Sequence, residues 1–201
     1  MKPPLNPDAV AKLAATYQII ASALIFGVAA FLLIVLFLIP GPSAPPGAVA
    51  EAPPADAAAP AAATSTPGLF TLLAIVLGVS SLVLSVVLPR QNTETQRRRL
   101  ANSDGSETSA ITEQAEAAGF SGETAALAGI YQTQFILGAA QLEGAAFFAV
   151  IAFMLERDPI ALAVVLVMLA ALAARFPTTQ KISGWLNHQL ETLERERRAT
   201  V

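Results

Sequence analysis

Glu143 stands where its chemistry is costly. It lies midway along an apolar stretch, 133–155, that contains no other charged residue. If that stretch crosses a bilayer, the carboxyl sits near the midplane, where a charge costs at least about 2.5 kcal/mol. The usual relief is protonation, so a neutral Glu143 is expected. Such an acid can donate a hydrogen bond between helices, or it can lose and regain its proton as a carrier or sensor of a proton or cation. Ser80 and Ser81 lie at equal depth in another apolar stretch, and their hydroxyls can accept from the acid or donate to its anion. At 100° per residue Gln132, Ala139, Ala140, Ala146 and Val150 share the face of Glu143, whereas Gln134 and Gln141 lie roughly opposite. A helix polar on two sides suits the inside of a bundle, and the small residues from Gly138 to Ala146 permit close approach. Helix glue and proton carrier are both compatible with this pattern.

No other grouping carries chemistry. There is no Ser/His/Asp set, no HExxH, no phosphate-cradling glycine loop and no second buried carboxylate. With no cysteine and one histidine, His188, thiol nucleophiles, disulfides and Cys/His metal sites are excluded. A non-enzymatic chain without metal or cofactor is expected.

The elements that position Glu143 follow from composition. The 201 residues are 54% hydrophobic and 13% charged, against about 25% charged in soluble proteins. Crossing a bilayer takes about 20 apolar residues of helix, and four runs qualify: 17–39, 68–89, the 133–155 part of a long helix at 123–155, and 160–176. Pro40-Gly41, Pro89-Arg90 and Arg175 with Pro177 supply stops. The expected fold class is all-α, an integral membrane four-helix bundle of two transmembrane hairpins, followed by a cytoplasmic amphipathic helix at 177–201. Every Lys and Arg except Arg157 falls in the arm at 1–16, the loop at 90–122 or the region from Arg175 onward. Cytoplasmic flanks retain positive charge, so both termini are expected in the cytoplasm, with 40–67 and the turn at 156–159 outside. An alternative treats the first run as a signal peptide cleaved near Ala48-Val49-Ala50, but that run exceeds the usual signal core of about 7 to 15 residues.

The Pro/Ala-rich stretch 40–67 has too few large apolar groups to offset its ordering entropy and reads as a disordered, extended linker. In the 90–122 loop, Arg97, Arg98 and Arg99 read as contacts to lipid headgroups; a nucleic-acid interface would need a larger basic patch on a folded motif. A short helix over 108–118 would be stopped by Gly119, and Ser121 would cap the long helix that follows. In the tail, Ile182, Trp185, Leu186, Gln189, Leu190 and Leu193 recur at helical spacing. That face suits the membrane surface, with Trp185 at headgroup level, or a partner helix.

The run from Ile136 to Val150 resembles the carboxylate-bearing helix of the proteolipid c subunit of rotary ATP synthases, in which small residues precede the acid and apolar and aromatic residues follow. The resemblance implies Glu143 as ion carrier. Gly144 and Phe148 stand where sodium-binding members carry a hydroxyl and a tyrosine, which implies protons as the ion. The resemblance covers this helix alone: the glycine ladder of the family's first helix is missing, and a further span follows the acid. Tyr17-Gln18 and Tyr131-Gln132 each open the outward span of a hairpin whose return ends near a proline, Pro89 or Pro177, as a duplication would give. Phe26 stands where the first copy would need its acid. The expected protein is a multi-pass component of a bacterial inner membrane. It is either a scaffold or accessory subunit contacting protein partners or itself through its helices, or a proton-translocating or proton-sensing component.

Overall fold

The computed structural model describes residues 5–39, 67–102, 115–117, 119–120 and 122–200. All regular structure among them is helical. The long elements are α1 (Pro7–Phe37), α2 (Leu69–Asn102), α3 (Gly122–Glu156), α4 (Pro159–Ala174) and α5 (Thr179–Thr200). A helical turn at 115–117 is closed by Gly119 at φ +98°, with Phe120 N–H donating to the Ala115 carbonyl. The Pro/Ala stretch at 40–66, the Ser121 cap and residues 103–114 lie outside the described residues.

Helix α1 begins well before the expected span. Asn6 accepts from Asp8 N–H at 3.1 Å, Pro7 fills the first turn, and the early residues Val10, Leu13 and Tyr17 are buried. Helix α2 is built inside out by soluble standards. Its buried seam is Thr71, Ala74, Gly78, Ser81 and Ser85, spaced three and four apart, while Leu72, Leu73, Val76, Val79 and Val83 are exposed. Small residues inward and large apolar residues outward is how helices pack where lipid is the solvent. A Cβ at Gly78 would sit 3.2 Å from a methyl of Val164, so this glycine sets the approach of α2 to α4.

The sequence places a stop at Pro89 and a loop from residue 90. The structure corrects this, because α2 runs through Pro89 to Asn102. The carbonyl that proline leaves without a donor is met by the side chain of Arg175, which caps the end of α4. Helix α3 lies at the centre and touches α1, α2, α4 and α5.

Helices α1, α2 and α3 are each long and apolar enough to cross a membrane. Helix α4 has 16 residues, about 24 Å at 1.5 Å per residue, short of a hydrocarbon core of about 30 Å. It reaches spanning length only together with α5, from which a 67° bend separates it. Pro177, at the bend, cannot continue α4.

The helices enclose two cores. The first joins Val28, Leu32 and Val35 of α1 to Leu142 and Val150 of α3 and Val165 of α4. The second joins Leu13 and Tyr17 of α1 to Leu127 and Ile130 of α3 and to Ile182, Leu186 and Leu190 of α5. The apolar face expected of the tail is the face α5 buries, but against its own chain. This corrects the expectation of a face laid on the membrane surface: α1 and α3 extend beyond their apolar spans and supply the cover.

Candidate functional site

Glu143 is half-buried and, among the described residues, has no hydrogen-bond or ion-pair partner. Ser81 is buried in the α2 seam and Ser80 is exposed; neither pairs with it. Gln132 is half-buried and lies about 16 Å nearer the start of α3. Beside Glu143, Ile136, Ala140 and Gly144 are exposed, so the acid borders the outer face of the helix group and not its centre. On the opposite side of α3, Gln134 Nε2 donates to the Pro89 carbonyl of α2 at 2.8 Å.

The polar groups that hold helices together lie at the two ends. At the first, the turn between α3 and α4 supplies three consecutive charges. Glu156 accepts from Phe70 and Thr71 N–H, both at 2.8 Å, and so caps the start of α2. Gly68 leaves room for this bond, because a Cβ there would overlap the carboxylate and push it aside. Arg157 donates to the Ile39 carbonyl at 2.6 Å and the Val35 carbonyl at 3.4 Å, closing the end of α1, and its guanidinium lies 5.5 Å from the Phe153 ring centre. Asp158 accepts from Ile160 N–H at 2.9 Å and caps α4. Anions thus meet helix starts and the cation meets a helix end, as the peptide dipoles favour. Partial burial pushes the Glu156 carboxyl up, but the donors of Phe70 and Thr71 pull it down further, and the net position is below the ordinary glutamate value.

The second end is organised around Pro89. An unbroken helix would have residue 89 donate to the Ser85 carbonyl, and proline has no N–H. Arg175 Nη2 donates to that carbonyl at 2.7 Å, so the end of α4 closes the gap in α2. Gly138 gives the guanidinium passage: a Cβ there would lie 2.5 Å from Arg175 Nη1. The Pro89 carbonyl also accepts from Thr93 Oγ1 at 2.7 Å, and Gln18 Nε2 donates to the Pro177 carbonyl at 3.0 Å. Tyr17 and Tyr131 meet at 5.8 Å between ring centres. Trp185 is half-buried and turns edge-on to Tyr131, with 5.2 Å between ring centres.

Arg97, Arg98 and Arg99 fall within α2, and their side chains lie outside the described residues. His188 is exposed on α5. No metal-binding group of His, Cys, Asp or Glu occurs among the described residues. Sequence reasoning missed Glu156, Asp158, Arg175 and Gln134 as structural ligands and took Arg157 only as an exception to charge asymmetry. The available signal was position, since each charged residue directly borders a helix end. Comparison of the chain with protein-family models, curated proteins and solved structures finds no match.

Proposed function

We propose that this is a multi-pass bacterial inner-membrane protein acting as a non-enzymatic scaffold or accessory subunit, with four spans in two hairpins, the short α4 and the residues up to the Pro177 bend forming the fourth, and both termini cytoplasmic. The basic residues support the orientation, and the exception, Arg157, has a structural use at the end of α1. The observation that carries the scaffold reading is the distribution of polar contacts. They lie at the two ends of the helix group, while the lone intramembrane carboxylate has no partner among the described residues. Native-gel migration of the complex extracted from membranes carrying Glu143→Gln tests the reading. Unchanged migration and unchanged cell physiology support it, and intact assembly with lost physiology transfers the function to Glu143.

The outward position of Glu143 beside Ala140 and Gly144 favours a second reading. A carboxyl on the outer face is open to a neighbouring subunit, as the resemblance to the c-type proteolipid helix implies for a proton carrier. The pH dependence of carbodiimide labelling at Glu143 in native membranes tests this. Labelling that declines with a midpoint well above that of free glutamate supports a carrier, and absence of labelling at every pH removes it.

A further inference from the structure

Where α2, α3 and α4 meet α5, the helices surround an open cavity of about 600 Å³, within the range of sites for small ligands. Its wall carries three cations, Arg90, Arg175 and Lys181, against one acid, Glu94. Arg175 uses one nitrogen on Ser85 and keeps further N–H donors. Lys181 Nζ donates to the Ala174 and Phe176 carbonyls, both at 3.2 Å. Arg90 is exposed and has no partner among the described residues. Tyr131 and Trp185 add polar-tipped rings to the wall, and Val86, Phe135 and Leu172 make another part apolar. From Val86 the exposed apolar face of α2 continues through Val83 and Val79. The cavity therefore joins an excess of positive charge to the apolar flank of a spanning helix.

We propose that this cavity binds the phosphate headgroup of an anionic phospholipid. Arg90, Arg175 and Lys181 face the phosphate, Tyr131 and Trp185 border the glycerol region, and the acyl chains follow the exposed valines of α2. Basic cavities between spanning helices on the cytoplasmic side take anionic headgroups in this way. A free phosphate shares the headgroup's charge chemistry but leaves the apolar flank uncovered. The inference rests on the membrane reading above, and that reading fails separately if alkaline washing strips the chain from membranes.

Trp185 is the only tryptophan of the chain, so its fluorescence reports on this cavity. The test uses the full chain in neutral detergent, titrated with phosphatidylglycerol or phosphatidylcholine carrying brominated acyl chains. Quenching of Trp185 is expected at a several-fold lower mole fraction of phosphatidylglycerol. Arg90→Gln with Lys181→Gln should reduce that preference several-fold; Arg90→Gln alone, at an exposed residue without a partner among the described residues, should reduce it partly without disturbing the fold. Equal quenching by the two lipids, or a preference untouched in both variants, overturns the proposal. Inorganic phosphate that shifts Trp185 emission and displaces the lipid at equal concentration overturns the lipid as the ligand in favour of a soluble phosphate.

Discussion

The two ends of the helix group use their charged residues in opposite ways. At the turn between α3 and α4, Glu156, Arg157 and Asp158 each close a different helix, and the three together tie α1, α2 and α4 to one short segment. At the Pro89 end, Arg175 also repairs backbone, but Arg90 beside it has no partner among the described residues and a cavity opens between the helices. Charges committed to helix ends build rigidity, whereas donors left unspent beside a cavity build binding capacity. The first end ties helices together, and the proposed headgroup site lies at the second, where Arg175 both closes α2 and lines the cavity.

The largest expected effect tests that double duty. Arg175→Ala leaves the buried Ser85 carbonyl without a donor, which costs about 1 to 3 kcal/mol. Pro89→Ala restores an N–H to the same carbonyl, so Arg175→Ala should cost far less in the Pro89→Ala background. A double-mutant cycle on thermal unfolding in detergent reads the coupling. Additive effects would mean that proline and arginine act independently and that the repair of α2 is not what holds α4 to it.

A smaller effect separates backbone from side chain at the first end. Arg157 holds φ +53°, a left-handed conformation that costs an L residue about 1 to 2 kcal/mol. Arg157→Gly removes that cost along with the bonds to Val35 and Ile39, so the two changes largely cancel. Arg157→Ala keeps the strain and loses the bonds. The alanine variant should therefore unfold at the lower temperature, by about 1 kcal/mol in stability. Equal stability of the two variants would show that the turn is held by something other than this conformation.

What the sequence displays and what it hides divide along the same physical line. Ile182, Leu186, Leu190 and Leu193 announce the buried face of α5 because periodicity is local. It cannot say what covers that face, and the cover proves to be the ends of α1 and α3 rather than lipid. Pro89 reads as a stop because its missing N–H is local too, while the guanidinium that compensates comes from the far end of the chain. Glu143 is conspicuous in sequence as the one charge in an apolar run, yet the contacts joining the helices belong to residues at the run boundaries. Charge at such boundaries carries two meanings at once, topology and capping, and composition reveals only the first.

The smallest expected effect asks whether the Glu156 cap works as an anion. The folded carboxyl lies below the ordinary glutamate value, whereas the unfolded chain titrates at that ordinary value. The stabilisation it gives is therefore fully present above the ordinary range and is lost as pH falls through the folded value. Glu156→Gln removes the charge at every pH, so the gap in unfolding temperature between the native chain and this variant should narrow as pH drops below 4.5, the unperturbed value. Glu143 is present in both chains, and its own titration leaves the gap unchanged. Gly68→Ala offers the matching steric test, because its methyl displaces the carboxylate from Phe70 and Thr71 at neutral pH. A gap that stays constant into strong acid would show a cap that works by shape alone, and the first end would then lose its claim to be organised by charge.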